Sequence, residues 1–553
     1  MATLVKATWP YVLHCEAGDT DLVFDQFINS RSLALPLVSE IIGPCLNVNL
    51  VRDIVTNSTD WSADTVLSSV VLHGHFEREI DLGGSNLVRP PVFSLHLDDA
   101  VNLATFPDKD KFLMLNRLPS GVFSSRDSER LLDSFSKELG HAKGVDDILG
   151  LLLALSATPD EVEVLLISLT FGNIEVKSCL RNAVSMFHIL EREMQWRREQ
   201  GRPGGFGALR AHPPIVAVGA EGPLEDQKML ADYFHGTDGL GGIHASHPHL
   251  TPKETWEHLF DPSTEVSAID PAPTGDGSHR SFIPSKHPAH DEILRVLREN
   301  EPGTVTLVAV GPLTNLALAS AADPEAFLRV KEVVVMGGAV NQPGNVTPVA
   351  EFNTYADAFA AARVYSLTSP SPRTTIPIAS TSLANYPPNL SKQLTVRLFP
   401  LDITHRHGLK RGQFRKAITP LLESGSPLAE WVAAFMAHTF HTIEKQHQSQ
   451  VGDDVELSLH DPVCVWYALT AEYEGWKPSL TSPEDIRVET TGQWTRGHCV
   501  VDRRDRHRIE GDEEHSSDHG LWLSQRAGNR IWRMDGSPVE NNFGDILLEK
   551  LFT

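Results

Sequence analysis

From about residue 144 onward, short continuous apolar runs alternate with longer stretches of helical periodicity, and this rhythm narrows the possible fold more than any other feature. Ile148–Ala157 reads as a helix, Glu163–Thr170 (EVLLISLT) as a strand, Val176–Gln200 as a helix and Ile215–Gly219 as a short buried strand. The pattern continues with a helix over Asp291–Asn300, a strand over Thr304–Gly311, a helix over Leu313–Ala321 and a strand over Glu332–Gly337. An Ala-rich helix over Tyr355–Leu367 and a weaker strand over Thr375–Ala379 follow. Strands that are apolar throughout, rather than alternating, belong to a parallel sheet covered on both faces. The expectation is an α/β fold with a mostly parallel central sheet flanked by helices. Ligands in such folds sit beyond the carboxyl ends of the strands. Polar or glycine-rich turns lie there: Asn173 after EVLLISLT, Gly311 after TVTLVAV and Met336 after EVVV.

Residues 1–139 lack this rhythm and read as an N-terminal extension of unassigned fold, ahead of a domain spanning 140–553. Only Ser128–Leu139, with Leu131, Leu132, Phe135 and Leu139, has helical spacing. Three stretches within the domain read as inserted surface loops: the Gly/Pro-rich 201–207, the Pro-, Ser- and His-rich 247–290, and the highly charged 502–519. The histidines of the second lack the tight spacing of a zinc site.

A net charge of −24 disfavours a nucleic-acid polymer or an acidic membrane surface as partner and suits a small molecule or a bound cation. Five widely spaced cysteines (Cys15, Cys45, Cys179, Cys464, Cys499) form neither a disulfide framework nor a CxxC metal site. With no long apolar run and a poor N-terminal signal, the chain reads as cytoplasmic.

Carboxylates at the edges of apolar helical stretches are the chemically suggestive feature. Gly144-Val145-Asp146-Asp147 and Leu459-His460-Asp461-Pro462 supply hard oxygen ligands of the kind Ca²⁺ takes. Taken alone, Asp146-Asp147 has a simpler reading as a helix N-cap favoured by the helix dipole, and His460 as a structural histidine. Between the two runs lies a polar cluster, Gly344–Asn353.

GVDDILGLLLALSA, SLTFGN, Arg181-Asn182-Ala183, HGTDGLGG, LVAVGPLTNLALA, VVMGGAV…GNVTPVAEFN, PLDITHR and HDPVCVWYAL follow one another in order. Together they closely resemble the inosine/uridine-preferring nucleoside hydrolases, over about residues 144–535. The resemblance implies cleavage of a ribonucleoside to ribose and free base through a Ca²⁺-bound water, and a homo-dimer or homo-tetramer. It implies Ca²⁺ held by Asp147, Asp461 and the main-chain carbonyl of Val310. It also implies Asp146, Asn353 and Asp461 at the ribose 2′- and 3′-hydroxyls, Asn345 and Glu351 at the 5′-hydroxyl, Met336 beside the sugar and Asn173 near metal and base. His235 and His460 would lie near the leaving base, where an imidazole can supply a proton. Base preference would reside in loops around His235 and after the HDP run.

The chain departs from the family at the first motif, D-x-D-P-G-x-D-D. Here Gly140 and Ala142 replace the leading aspartates, Lys143 replaces proline, and Ser136-Lys137-Glu138-Leu139 replaces the expected apolar strand. The second missing aspartate is, in the family, a metal ligand and the base that takes the proton from water. Three readings stand: residues 1–143 do not belong to a working form, as a wrongly joined exon would produce; the chain is a catalytically impaired relative that still binds ribonucleosides; or another N-terminal carboxylate, Asp19 or Asp21, substitutes.

Overall fold

The computed structural model divides into two compact units, residues 1–140 and 141–553. It describes residues 145–225, 228, 238–252, 256–261, 281–377, 383–446, 450–504, 506–507 and 518–553, together with the backbone of three earlier strands. Those strands, β1 (Ser68–Val71), β2 (Asn102–Asp108) and β3 (Lys111–Arg117), form an antiparallel sheet in the order β1-β2-β3 within the first unit. The helical spacing at Ser128–Leu139 lies outside the described residues.

The second unit opens with α1 (Val145–Ser156), then β4 (Leu166–Leu169), α2 (Val176–Glu199), β5 (Ile215–Val218) and β6 (Ile283–Pro284). Next come α3 (Ala289–Glu299), β7 (Thr306–Ala309), α4 (Thr314–Ala322), β8 (Glu332–Met336), α5 (Phe352–Ala356), α6 (Ala358–Ser366) and β9 (Val396–Phe399). The C-terminal part adds β10 (Gly408–Lys410), α7 (Arg411–Glu423), α8 (Pro427–Gln446), β11 (Glu456–Ser458) and α9 (His460–Thr470). It ends with β12 (Lys477–Pro478), β13 (Ile486–Val488), β14 (Cys499–Val501), β15 (Ile531–Gly536) and α10 (Phe543–Phe552).

The main sheet runs β12-β15-β9-β8-β7, parallel except for the antiparallel edge strand β12. A second parallel sheet runs β4-β5-β6. This is the α/β fold expected from the apolar rhythm. All five residues of β8 are buried, as a strand covered on both faces requires. All four of β7 are only half-buried, because β7 ends its sheet. β4 likewise ends its own sheet, and no strand pairs β4 with β7 among the described residues. Asn315, at the start of α4, ties that helix to β4: its Nδ2 donates to the Leu169 carbonyl (2.8 Å) and Ser168 Oγ (2.9 Å), while its Oδ1 accepts from Ala220 N (2.9 Å).

Three details differ from the sequence expectation. The helix expected over Tyr355–Leu367 is broken at Asp357, whose backbone is extended (φ −145°, ψ 79°). Its carboxylate caps α6 through Ala360 N and also accepts from Leu224 N and the Thr314 hydroxyl. An aspartate that hydrogen-bonds locally competes with helix continuation. The strand expected over Thr375–Ala379 is absent in its described part: Pro372–Thr374 forms a 3₁₀ turn, and Pro377 has no N–H to give a ladder. The sheet position is filled by Val396–Phe399. The 201–207 insertion is a surface loop only at Gly201–Pro203; Phe206 is buried beneath the Arg197 guanidinium, 5.3 Å from its ring centroid.

Two sequence motifs meet at a buried histidine. His244 Nε2 lies 2.7 Å from Asn182 Oδ1, and its Nδ1 lies 2.6 Å from Thr251 Oγ1. Asn182 also donates to the Asp238 carbonyl, and the Asp238 carboxylate accepts from the N–H groups of Leu240, Gly242 and His244. The amide oxygen can only accept, so the ring is satisfied as the neutral Nε2–H form with Thr251 donating to Nδ1. Burial, with Arg181 nearby, lowers the His244 pKa from 6.5 to about 4. The unfolded chain therefore binds the proton more readily: this contribution is complete above about pH 6.5 and is lost as the pH falls toward 4. Urea melts should lose up to roughly 2 kcal/mol from this group between pH 7 and pH 5. His244→Gln should be less stable at pH 7 but show a shallower loss over that interval.

Candidate active site

Both half-sites are built from helix N-termini. Asp146 and Asp147 occupy the first turn of α1, and Asp461 the first turn of α9. The two helices pack along each other: a Cβ on Gly150 would lie 3.5 Å from Val465 Cγ2 and 3.7 Å from the Asp461 carbonyl carbon. Apolar side chains on both helices (Leu149, Leu152, Leu153; Val463, Trp466, Tyr467) bury in one core, which fixes their relation. Runs 300 residues apart in sequence thereby place oxygens of Asp146, Asp147 and Asp461 within 4.8 Å of one another. Asp146 and Asp147 are half-buried and Asp461 is 4% exposed.

Like charges this close repel by roughly 3–4 kcal/mol per ionised pair at an effective dielectric of about 20. The two helix dipoles offset about 0.3–1 kcal/mol for each carboxylate. A cation among them removes the deficit. The donor set is all carboxylate, with no thiolate or imidazole, which suits a hard, oxygen-seeking ion rather than zinc.

The ends of the parallel strands supply the remaining groups. Val310 follows β7 and Met336 ends β8. Asn353, in α5, joins the two: its Nδ2 lies 3.1 Å from the Val310 carbonyl and 3.3 Å from both the Met336 carbonyl and Met336 Sδ. Glu351 caps α5 and is 1% exposed. Its Oε1 accepts from Asn353 N (2.7 Å), and its Oε2 from Gly338 N (2.7 Å) and Thr354 N (3.0 Å). Burial pushes its pKa up, opposed by these backbone N–H groups. Asn345 is exposed, and its Oδ1 accepts from Phe352 N (2.9 Å). Asn173, half-buried, sits in the turn after β4.

His460 opens α9. Its Nδ1 lies 2.7 Å from Thr404 Oγ1, and the His405 ring packs edge-on at 5.1 Å. Burial, then the neighbouring His405 and His407, lowers its pKa to about 3, so the ring is neutral near pH 7. The PLDITHR run carries no assigned role in the sequence alone; the structure puts its Thr404 and His405 against His460. Asp402 of the same run accepts from the N–H groups of Val340 and Asn341. Of the expected site residues, His235 lies outside the described residues, as do Gly140, Ala142 and Gly144.

Residues 143–522 match the family model described as inosine-uridine preferring nucleoside hydrolase. The chain belongs to this family. An uncharacterized protein of Schizosaccharomyces pombe is 29% identical over 360 residues, 65% of this chain and 86% of that protein. The pyrimidine-specific ribonucleoside hydrolase RihA of Salmonella paratyphi C is 30% identical over 365 residues, again 65% and 86%. A solved plant nucleoside hydrolase is 20% identical, covering 74% of this chain and 96% of that one, with a TM-score of 0.48. Members of the nucleoside hydrolase family act on small-molecule nucleosides and generally depend on a metal ion. Among the described residues, no helix is long and apolar enough to cross a membrane.

Glu351 tests how far the site is also a structural joint. Glu351→Ala leaves three backbone N–H groups without their acceptor, and should cost about 2–4 kcal/mol in chemical denaturation. Glu351→Gln keeps one oxygen acceptor and should lose less.

Proposed function

We propose that this chain is a nucleoside N-ribohydrolase that cleaves the N-glycosidic bond of ribonucleosides, with Ca²⁺ as its metal. The observation that carries the reading is the convergence of Asp146, Asp147 and Asp461 within 4.8 Å at two helix N-termini. Asp147, Asp461 and the Val310 carbonyl would hold the ion. When bound, Ca²⁺ supplies Lewis acidity that makes a coordinated water more acidic.

The protein's own groups account for the rest. Breaking the bond to the base builds positive charge on the sugar, an oxocarbenium-like state. Asp146 and Asp461 are fixed anions that stabilise this charge as it develops. With Asn353 they would also hold the 2′- and 3′-hydroxyls, so a substrate lacking one leaves buried polar groups unpaired. Asn345 and Glu351 would face the 5′-hydroxyl, Met336 the sugar, and Asn173 the metal and base. The departing base takes the bonding electron pair, and a proton must follow. His460 is neutral as placed, so its contribution would be a hydrogen bond from a ring N–H, with His235 the second group near the base. Five widely spaced cysteines with no CxxC pattern support a reducing, cytoplasmic setting.

A second reading is favoured by Gly140 and Ala142, which stand where the first motif carries aspartates. On that reading the chain binds ribonucleosides but turns them over slowly, since loss of a general base costs about 10²–10⁴ in rate.

Ribose release from uridine and inosine, with and without Ca²⁺, separates the two. Turnover that requires Ca²⁺ supports the hydrolase; nucleoside binding without turnover supports the impaired relative. A variant restored to aspartate at positions 140 and 142, with an apolar strand ahead of them, should release ribose, and its failure would count against the hydrolase ancestry of the site. Asp461→Ala should abolish the Ca²⁺ titration heat and ribonucleoside binding together; an unchanged heat would remove Asp461 from the metal site.

A further inference from the structure

The loop that carries Asn345, Glu351 and Asn353 has no strand ladder of its own. It is closed by turn contacts: Gly344 N to the Pro348 carbonyl (3.2 Å), and Val346 N and Thr347 N to the Ala350 carbonyl (3.3 Å each). A Cβ on Gly344 would lie only 2.1 Å from the Ala350 oxygen, so the turn is drawn tight at that point. On one side the loop is fixed to the strand ends through Glu351–Gly338 and Asn353–Met336.

On its other side lies the β13–β14 hairpin, a C-terminal element the sequence motifs do not include. His498 forms an isolated antiparallel bridge with Ala350, and its Nδ1 lies 3.1 Å from the Val349 carbonyl. A carbonyl only accepts, so that nitrogen carries the proton and donates. Gly497 (φ +77°) lets the hairpin backbone press on the loop; a Cβ there would meet Tyr355 Cα at 2.9 Å and Ala350 Cβ at 3.1 Å. The Arg496 guanidinium sits 4.0 Å from the Tyr355 ring centroid. Cys499 packs under Gly338, where a Cβ would lie 2.7 Å from its Sγ. Arg503 donates to the Val340 carbonyl and to Asn341 Oδ1. The contacts of His498 and Gly497 fall on Val349-Ala350, directly before Glu351.

We propose that His498 is a positioning residue: through Val349 and Ala350 it sets how the loop presents Asn345 and Glu351, and so determines how strongly the site prefers a sugar bearing a 5′-hydroxyl. The proposal rests on the ribose-site reading above. His498 touches no substrate on that reading. It acts on the 5′ end more than on the rest of the ribose because Asp146 and Asp461 are held separately, by the α1–α9 pair, and Asn353 is anchored to the strand ends at Val310 and Met336. Specificity for the 5′ end would thus be set from a hairpin more than 130 residues downstream of the motif itself.

The test is equilibrium binding of uridine and of 5′-deoxyuridine by the full chain with Ca²⁺, for wild type, His498→Ala and His498→Asn. Asparagine can place an amide N–H near the position of Nδ1. Wild type should prefer uridine. His498→Ala should lose about tenfold of that preference, mainly through weaker uridine binding, and His498→Asn should recover most of it. A folded His498→Ala protein with the wild-type preference, or with equal losses for both ligands, overturns the proposal. Should His498→Ala fail to fold, Arg496→Gln carries the same expectation. Uridine binding that is abolished by Asp461→Ala upholds the ribose site whatever His498 does, whereas no uridine binding by wild type overturns both readings.

Discussion

The pairing of α1 with α9 is the constraint on which the rest of the site depends. Three carboxylates cannot be held within 4.8 Å of one another unless something fixes their backbones. Here the apolar faces of two helices do so, with Gly150 admitting the start of α9 closely. The charge repulsion is concentrated at the helix N-termini, where the backbone dipoles are most favourable to anions. A hard cation held there would relieve it further. The geometry proposed to bind the ion would therefore also place fixed negative charge where an N-riboside develops positive charge.

Around that centre, several polar groups serve the fold as well as the chemistry proposed for them. Glu351 is both an α5 cap and a member of the expected 5′-hydroxyl pair, and three backbone N–H groups engage its two oxygens. Asn353 bridges the ends of β7 and β8 through one amide nitrogen, which leaves its oxygen for other partners. A side chain held by backbone donors is already oriented before ligand arrives, which lowers the ordering cost of binding. The consequence is that stability and recognition cannot be altered independently at these positions.

Among the described residues, the parallel strands form two sheets. β4 and β7 each end a parallel sheet, and β7 is half-exposed along its whole length where β8 is wholly buried. Asn315, on the helix that follows β7, bonds to β4 through its side chain. In sequence, Gly140 and Ala142 stand where the family's first motif carries aspartates, and a charged run stands where its apolar strand is expected.

Much of this protein was legible from residue order alone. Continuous apolar runs of strand length predicted a parallel α/β sheet, and most helices and strands between residues 145 and 336 fall where periodicity puts them, because a doubly covered strand has no polar face to disguise it. The acidic pairs and the Gly344–Asn353 cluster were equally visible, since metal and sugar chemistry need those residue types. Other features were not readable locally. The break at Asp357 depends on Thr314 and Leu224, distant partners that make a cap worth more than a continued helix. The neutral state of His460 depends on burial among His405 and His407. The contact of the β13–β14 hairpin with the loop before Glu351 joins segments about 150 residues apart. Sequence by itself determined the fold class and the chemistry available to the chain. Only tertiary structure decided which carboxylates share one point in space and which polar groups are already engaged by backbone, because those are properties of packing between distant elements rather than of any one stretch of residues.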